Sequence, residues 1–559
     1  MDQTNSQISP VVEPLTNSTN SPLQLDGNSL SCQAIQNSFA RNKQYTISNH
    51  QQLNTKLTQS RETLERNIAQ GAKIYGVNTL FGGLANTEVE DLNKLQQQLI
   101  LNHHSGAGDD LEPDDVRLSM IMRVNTLLRG VSGVRKEILE RYIYCLNHNL
   151  TPRVKTLGSI GASGDLVPLS SIAGAVLGLS DSFELSDDSG THSAKDLLKQ
   201  HNLDDLSLKA KEGLGLINGT SCHTAIAANN LIQMVNLFNW HLKIQGLLSE
   251  ILHADMGAFN AFIHQHRPHP GQIWVAKKLR LMLLDSTITR DRHSVEQDFA
   301  HDELIQDRYS IRCMPQFIGP IVESIIQAIK TIDIEMNSAT DNPLIEIEND
   351  TYHHGGNFLG QHVAMAMDHM RVNIALLAKH NEAQVSSLVE PKFSKNLPAS
   401  LVAEGQNHSV GIKPIQILMN SITPQLEHMA SPLTVHFPVH AEQFNQNLNS
   451  QGYGSALMTR DCLKKFQSQL SATYIIAVQA ALIRAQQMGK SWNSIYSSSG
   501  KKLIRSMLAE FNLPTDDIVG IVTEDTAGRN EEFLAKASEL IERTKYCSES
   551  NLLTLKTQF

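Results

Sequence analysis

The 559-residue chain has few cysteines, and none of the six forms a C-x-x-C pair of the metal-binding or redox type. Its longest apolar run, 472–483, is well short of the roughly 20 residues that a membrane span needs. Basic residues are also scarce, with 47 Lys and Arg against 57 Asp and Glu and a net charge of -10. These shortages argue against a membrane protein and a nucleic-acid binder, and they predict a cytoplasmic protein with reduced thiols.

Apolar residues at helical spacing dominate the chain after its first 30 residues. Residues 1–30 are rich in Asn, Ser, Thr and Pro, which predicts a disordered leader. Pro113 suits a first helical turn, and long periodic segments cover 225–252, 317–336, 359–380, 415–429 and 442–488. Strand signals are few, at 344–350 and near 154–160. We expect a mainly α fold with a loop-rich N-terminal region (31–220), a long central helical bundle (221–500) and a C-terminal helical segment (501–559).

Neither a nucleotide site nor a metal site is favoured by the patterns present. Residues 213–219 read GLGLING, which departs from G-x-G-x-x-G and does not follow a predicted strand. The cluster His264, His266 and His269 lacks the H-E-x-x-H spacing of a hydrolytic zinc site. We therefore expect no metal and no nucleotide cofactor.

The segment GSIGASGDLVPLS (158–170) carries more chemical information. Its Ala162-Ser163-Gly164 core could be an ordinary capped turn before a helix. However, a glycine nitrogen can approach the carbonyl two residues back. Ring closure at that carbonyl, followed by dehydration of Ser163, would leave an electron-poor methylene group. Side chains supply no such electrophile, and enzymes usually take one from a cofactor.

Eight segments in order resemble the aromatic amino acid ammonia-lyases, the histidine, phenylalanine and tyrosine ammonia-lyase family. They are IYGVN (74–78), GSIGASGDLVPLS (158–170), NGTS (218–221), HPGQ (269–272), IQDRYSIRCMPQ (305–316), TDNPL (340–344), GGNFLGQ (355–361) and HAEQFNQNLNSQGY (440–453). The last segments look most like the phenylalanine ammonia-lyases of cyanobacteria. The resemblance spans about 45–490 and implies a fumarase/aspartase-like bundle. It also implies a homotetramer whose active sites draw loops from more than one chain.

The resemblance also implies a role for each matching residue. Ala162, Ser163 and Gly164 would form 4-methylideneimidazol-5-one (MIO), and Tyr75 would be the general base that removes the β-proton of an L-amino acid. Arg312 would hold the substrate carboxylate, a task suited to the guanidinium fork. The remaining matches orient the prosthetic group or the substrate, or line the pocket: Asn218, Tyr309 and Glu442, with Gly83, Gln306, Asn342, Phe358, Lys413 and Gln446.

Ring selectivity depends on the pair Asn102-His103, aligned on the shared Gly-Ala-Gly. Both side chains are polar and would be costly beside a bare phenyl ring, so we expect tyrosine or dihydroxyphenylalanine as the preferred substrate. If His104 faced the pocket instead, this argument would fail. Histidine ammonia-lyase activity and a non-catalytic scaffold remain alternatives. So does a tyrosine 2,3-aminomutase, because Leu80 replaces a glycine common in the family's tyrosine loop.

Overall fold

The computed structural model describes residues 21–40, 43–203, 206–291, 305–516 and 518–546. Residues 1–20 of the predicted leader and Cys547 lie outside the described residues. Cys145, Cys222, Cys313 and Cys462 are free thiols, as the sequence predicts. No helix of the described part of the chain is long and apolar enough to cross a membrane.

Helices make up most of the described chain, which confirms the mainly α prediction. They are α1 Cys32–Ala40, α2 Gln51–Ala69, α3 Leu92–His103, α4 Pro113–Leu127, α5 Lys136–Asn147, α6 Leu166–Leu177, α7 Ala194–Gln200, α8 Glu212–Ile217, α9 Ser221–Ile251, α10 Ala261–Gln265, α11 Pro270–Met282, α12 Tyr309–Arg312, α13 Met314–Glu335, α14 Gln361–Leu388, α15 Lys413–Met429, α16 Gly452–Gln487, α17 Trp492–Ile495, α18 Ser498–Glu510 and α19 Asn530–Arg543. Short 3₁₀ turns lie at Gly82–Leu84, Met256–Phe259 and Ala399–Leu401.

The central bundle is built from α9, α13, α14, α15 and α16. Helices α9 and α16 have 31 and 36 residues and are buried on almost every side. A helix that is apolar all round is expected at the centre of a large core. The prediction of long central helices is therefore confirmed.

The start of the last long predicted helix needs correction. The last long helix was expected from residue 442 but begins at Gly452. Glu442, Gln443, Phe444 and Gln451 all have positive φ angles, which a right-handed helix cannot contain. Pro113, by contrast, stands in the first turn of α4, as predicted.

In the part of the chain that the structure describes, nine short strands form four small sheets. They are β1 Leu23–Leu25, β2 Tyr45–Ile47, β3 Ala107–Asp110, β4 Thr151–Pro152, β5 Lys155–Leu157, β6 Glu184–Asp187, β7 Gly190–Ser193, β8 Leu344–Glu346 and β9 Thr351–His353. The pairs are β1 with β2 in parallel, and β3–β5, β4–β6–β7 and β8–β9 in antiparallel order. Both expected strand regions are present, as β8 and β5. The disordered leader was predicted too long, because β1 is paired and Leu25 is buried.

One hydrophobic core joins the predicted segments. It runs from Leu25 and the N-terminal helices through the bundle to Phe533 and Ile541 in α19. Helix α19 packs on α16 and α9, and α18 packs on the same two helices. The loop-rich region, the bundle and the C-terminal segment are therefore parts of one folded unit.

Candidate active site

A cavity of about 350 Å³ lies where the N-terminal loops meet one end of the bundle. Nine residues predicted from the sequence line it: Tyr75, His103, Ala162, Ser163, Asn218, Asn342, Phe358, Glu442 and Gln446. Apolar side chains complete the wall, among them Phe81, Leu99, Leu166, Leu214, Leu359 and Leu448. The cavity thus joins a polar set of groups to an apolar surface, as sites for aromatic ligands do.

In the Ala162-Ser163-Gly164 triad, Ala162 and Ser163 form part of the cavity wall, and Gly164 lies behind them. Gly164 has a φ of +70° and pairs with Gly219 in an isolated parallel bridge. A Cβ on Gly164 would collide with the Gly219 backbone. Asn218 Nδ2 donates to the Ser163 carbonyl oxygen at 2.9 Å, and Gln446 Nε2 donates to Ser163 Oγ at 3.2 Å. The triad is therefore held in a tight turn that only glycine permits at its third position.

A buried carboxylate–imidazole pair, which the sequence did not reveal, supports the triad from behind. Asp165 Oδ2 accepts the His223 backbone N–H at 2.8 Å, and Asp165 Oδ1 lies 3.0 Å from His223 Nδ1. Asp165 Oδ1 also accepts from Ser159 Oγ at 3.1 Å. Burial alone would lower the pKa of His223, but the Asp165 carboxylate outweighs it and raises that pKa.

Three long helices begin beside the triad. Helix α9 starts just after Asn218, and α14 starts just after the cavity residues Phe358 and Leu359. Helix α16 starts where the backbone N–H of Gln451 donates to the Ile160 carbonyl at 3.0 Å. Helix N-termini carry partial positive charge, so this end of the bundle favours negative charge in the cavity.

Tyr75 is half-buried on a loop held by its own hydrogen bonds. Its phenolic oxygen accepts the Gly82 N–H at 2.9 Å, and its ring meets Phe81 and His354 edge to face. Burial raises the pKa of Tyr75 and the nearby Glu442 adds to the rise, although the Gly82 hydrogen bond opposes it. The neighbouring groups of a single chain therefore do not favour the phenolate form of Tyr75.

Glu442 lies in three successive left-handed residues, Glu442, Gln443 and Phe444, with φ angles of 48°, 54° and 66°. Such residues cost roughly 1–2 kcal/mol each, and strain of this kind concentrates at functional sites. The turn packs on the tyrosine loop, because a Cβ on Gly82 would strike the Glu442 carboxylate and one on Gly83 would strike Gln443. Gly83 was expected to line the pocket, but it packs outside against Gln443.

Asn342 is placed in the cavity by a buried ion pair. Lys211 Nζ lies 2.6 Å from Asp341 Oδ2, and both side chains are fully buried. Asp341 Oδ1 accepts the Asn342 N–H at 2.7 Å, and Asn342 Oδ1 accepts the Gly355 N–H at 2.7 Å. Burial lowers the pKa of Lys211, although the Asp341 carboxylate opposes this.

Only one residue of the pair Asn102-His103, which is predicted to set ring selectivity, lies in the cavity. His103 lines it, whereas Asn102 is exposed and does not. His104 points elsewhere, with its Nδ1 3.1 Å from Ser171 Oγ and its ring against Phe183. Within a single chain, His103 can therefore contact the ring of a substrate, whereas Asn102 cannot.

Four predicted site residues lie at the opposite end of the bundle: Gln306, Tyr309, Arg312 and Lys413. His380 of α14 binds the Ser310 carbonyl, and it is about 29 Å along that helix from Gln361 at the cavity. Lys413 follows Ile412, which bonds to Ser400. The neighbouring Leu401 carbonyl binds Gln479, about 40 Å along α16 from Gly452. These four residues cannot reach the cavity of their own chain.

Some cavity residues carry no chemical signal in the sequence. Asn445 and Asn447 line the wall within the predicted HAEQFNQNLNSQGY segment and could have been included with it. Leu99, Leu214 and Leu448 look like ordinary apolar residues, so no local pattern separates them from the core. Within the described ranges, no cluster of three or more metal-ligating side chains occurs.

A model of the aromatic amino acid lyase family matches residues 30–505. The chain belongs to the aromatic amino acid lyase family. It is 41% identical over 478 residues to the phenylalanine ammonia-lyase of Nostoc punctiforme, covering 85% of this chain and 84% of that one. It is 37% identical to an aromatic ammonia-lyase of Loktanella atrilutea, covering 83% and 85%. A solved tyrosine aminomutase of Streptomyces globisporus superposes with a TM-score of 0.84 at 25% identity, covering 96% and 99%. The resemblance to cyanobacterial phenylalanine ammonia-lyases is thereby confirmed.

Proposed function

We propose that this family member is an MIO-dependent ammonia-lyase that prefers L-tyrosine or dihydroxyphenylalanine and releases the trans-arylacrylate. The main support for this proposal is that the Ala162-Ser163-Gly164 turn lies at the wall of a cavity that Tyr75 also lines. Phenylalanine is a further candidate substrate, supported by the relatives named phenylalanine ammonia-lyase.

The residues around the triad fit an imidazolone ring. Formation of the ring joins the Gly164 nitrogen to the Ala162 carbonyl carbon and releases two waters, one at this carbonyl and one from Ser163. The Ser163 carbonyl is kept in the ring, and Asn218 already donates to its oxygen. Asn218 Oδ1 is buried without a hydrogen-bond partner among the described residues. When formed, the group would supply an electrophilic carbon for the substrate amine, which ordinary side chains lack.

The side chains of the cavity would carry the proton transfers. Tyr75 would take the β-proton of the substrate at its phenolic oxygen, and general base catalysis of this kind contributes about 10²–10⁴-fold. Glu442 would receive a proton from the substrate amine at its carboxylate. The raised pKa of Tyr75 in the single chain opposes its phenolate form, so positive charge from outside that chain would assist the proton transfer.

We infer that this charge comes from a second copy of the chain. Arg312 and Tyr309 lie far from their own cavity and form a preassembled pair, with the guanidinium carbon 4.5 Å from the centre of the tyrosine ring. Helix α14 also exposes Met365, Val372 and Leu376 along one face. Exposed apolar stripes on bundle helices are typical of subunit interfaces. Both observations support a homotetramer with shared active sites, in which Gln306 and Lys413 would also reach a neighbouring cavity.

The preference for a hydroxylated ring is supported by the hydrogen bonding of His103. Its Nδ1 lies 2.8 Å from the Leu99 carbonyl oxygen, which can only accept. A neutral His103 therefore carries its proton on Nδ1 and leaves Nε2 as an acceptor. An acceptor suits a phenolic O–H and gives no advantage to a bare phenyl ring.

The test is a panel of L-tyrosine, L-dihydroxyphenylalanine, L-phenylalanine and L-histidine with products separated by chromatography. We expect the highest kcat/KM for a hydroxylated ring and a conjugated acrylate as product. Activity confined to L-histidine would refute the substrate proposal and leave the class intact. A Ser163→Ala variant with full activity would refute the proposed mechanism.

A tyrosine 2,3-aminomutase is the second candidate, supported by the structural similarity to tyrosine aminomutase. Leu80 stands in the tyrosine loop without a positive φ, and its N–H bonds to the Thr87 carbonyl at 2.9 Å. A loop held in this way would retain the acrylate longer, which aminomutases require. A β-amino acid as the main product would establish this alternative.

A further inference from the structure

The turn that carries Tyr309 and Arg312 is fastened to the bundle through one carbonyl group. Helix α12 is a single turn, and the carbonyl groups at the end of a helix have no partner within it. The Ser310 carbonyl accepts from His380 Nε2 at 2.7 Å and from Gln384 Nε2 at 2.6 Å. Both donors are buried and lie one turn apart on α14.

A second buried histidine stands behind His380. His241 of α9 places its Nε2 3.3 Å from His380 Nδ1, and both rings are buried. Because a carbonyl oxygen only accepts, His380 Nε2 must carry a proton toward Ser310. A neutral His380 then accepts at Nδ1, which requires His241 Nε2 to donate. The hydrogen bonds therefore run in one direction, from His241 to His380 to Ser310.

The two rings are neutral in this environment. Burial lowers the pKa of His380 to about 4, even though the Ser310 hydrogen bond opposes the fall. Burial lowers the pKa of His241 well below its ordinary value, and the neighbouring His380 adds to the fall. Neutral rings keep the single tautomer that the direction of the hydrogen bonds demands.

The two residues that precede Tyr309 are also held. Arg290 pairs with Asp307 at 2.5 Å, and the Arg308 guanidinium lies 4.3 Å from the centre of the Phe393 ring. Tyr309 by contrast is 73% exposed, and Arg312 Nε has no hydrogen-bond partner within the described ranges. The turn is thus fixed at its base, while the Tyr309 ring is exposed and stacks with the Arg312 guanidinium.

We propose that His241 and His380 are positioning residues that fix the Tyr309–Arg312 turn so that Arg312 meets the substrate carboxylate in a neighbouring subunit. The role of Arg312 rests on the proposed function, whereas the attachment of the turn rests on geometry alone. Neither histidine touches the substrate, and each acts through the Ser310 carbonyl.

The experiment compares His380→Leu with His380→Gln. A glutamine amide nitrogen can reach the place of Nε2 and keep the donor to Ser310, whereas leucine removes it. We expect His380→Leu to speed amide hydrogen exchange in peptides covering 305–316 and to raise KM about 3- to 10-fold with a smaller change in kcat, the effect of one hydrogen bond. His380→Gln should restore both values. Full-length assembled protein is used throughout.

Asn373→Leu is the matched control, because it removes another buried hydrogen bond of α14, to Ser324 Oγ at 2.8 Å, away from the turn. It should leave the exchange of 305–316 and KM unchanged.

Equal exchange in wild type and His380→Leu would overturn the proposal, as would equal effects of His380→Leu and Asn373→Leu. If His380→Leu does not assemble, His241→Phe replaces it, and unchanged exchange in that variant overturns the proposal. If no amino acid is deaminated, the exchange data still test the attachment of the turn, so failure of the proposed function is distinguishable.

Discussion

Tyr75 lines the cavity at one end of the bundle, whereas Arg312 lies at the other end, about 29 Å along α14. Each residue can therefore be removed separately and the two variants combined in one assembly. Tyr75→Phe alone should lose about 10²–10⁴-fold in kcat because the general base is gone. Arg312→Ala should lose about 10²-fold in kcat as well as raise KM, because a substrate whose carboxylate is not held is misplaced at Tyr75.

Co-expression of the two variants should recover activity, although each variant alone is inactive. In a mixed assembly, a complete site takes Tyr75 from an Arg312→Ala chain and Arg312 from a Tyr75→Phe chain. With equal expression and random mixing, about one quarter of the sites have both. Co-expression should therefore restore about one quarter of the wild-type kcat, measured as acrylate formation by ultraviolet absorbance.

The control is a mixture of the separately purified variants, which should stay inactive as long as subunits do not exchange. A double variant carrying Tyr75→Phe and Arg312→Ala in one chain, co-expressed with wild type, should also leave about one quarter of the sites intact. No recovery on co-expression, with mixed assemblies demonstrated by two affinity tags, would refute the shared site.

Three further outcomes follow from the contacts of the cavity. Lys211→Met should destabilise the fold by about 3–5 kcal/mol because it leaves the buried Asp341 carboxylate unpaired, and thermal unfolding should show the loss; an unchanged Tm would contradict this. His103→Leu should lower the ratio of kcat/KM for tyrosine over phenylalanine about 3- to 10-fold, and an unchanged ratio would show that Nε2 does not bind the phenol. His223 has a raised pKa, so its charged form should stabilise the fold below pH 6.5 and lose this effect as the pH rises through the folded-state pKa. The variant His223→Asn keeps a donor for Asp165 but cannot titrate. The difference in Tm between wild type and this variant should therefore shrink as the pH rises.

The long helices and the triad could be predicted from the sequence because both are local patterns. Pro113 and the apolar spacing of α9 and α14 are readable in windows of a few turns. The start of α16 was missed because the left-handed turn at Glu442 is stabilised by contact with Gly82 and Gly83, far away in sequence. The β1–β2 pair was missed because three-residue strands carry almost no periodic signal.

In the site, too, residues that are adjacent in sequence could be predicted, whereas contacts between residues far apart in sequence could not. Ala162, Ser163 and Gly164 stand side by side, so their chemistry could be inferred before the fold was known. The pairing of Asp165 with His223 and of Lys211 with Asp341 joins residues far apart in sequence, and no local pattern reveals it. The separation of Arg312 from the cavity is likewise a property of the bundle length, which fixes how far apart its two ends lie.

We propose that Ala162, Ser163 and Gly164 become the prosthetic group of an ammonia-lyase. The intact mass of the purified wild-type chain, compared with Ser163→Ala, tests this claim most directly. We predict a wild-type mass lower than that of its sequence by two water molecules, and no dehydrated imidazolone in the variant. A wild-type mass equal to that of the unmodified sequence would contradict the account and favour a non-catalytic helical scaffold.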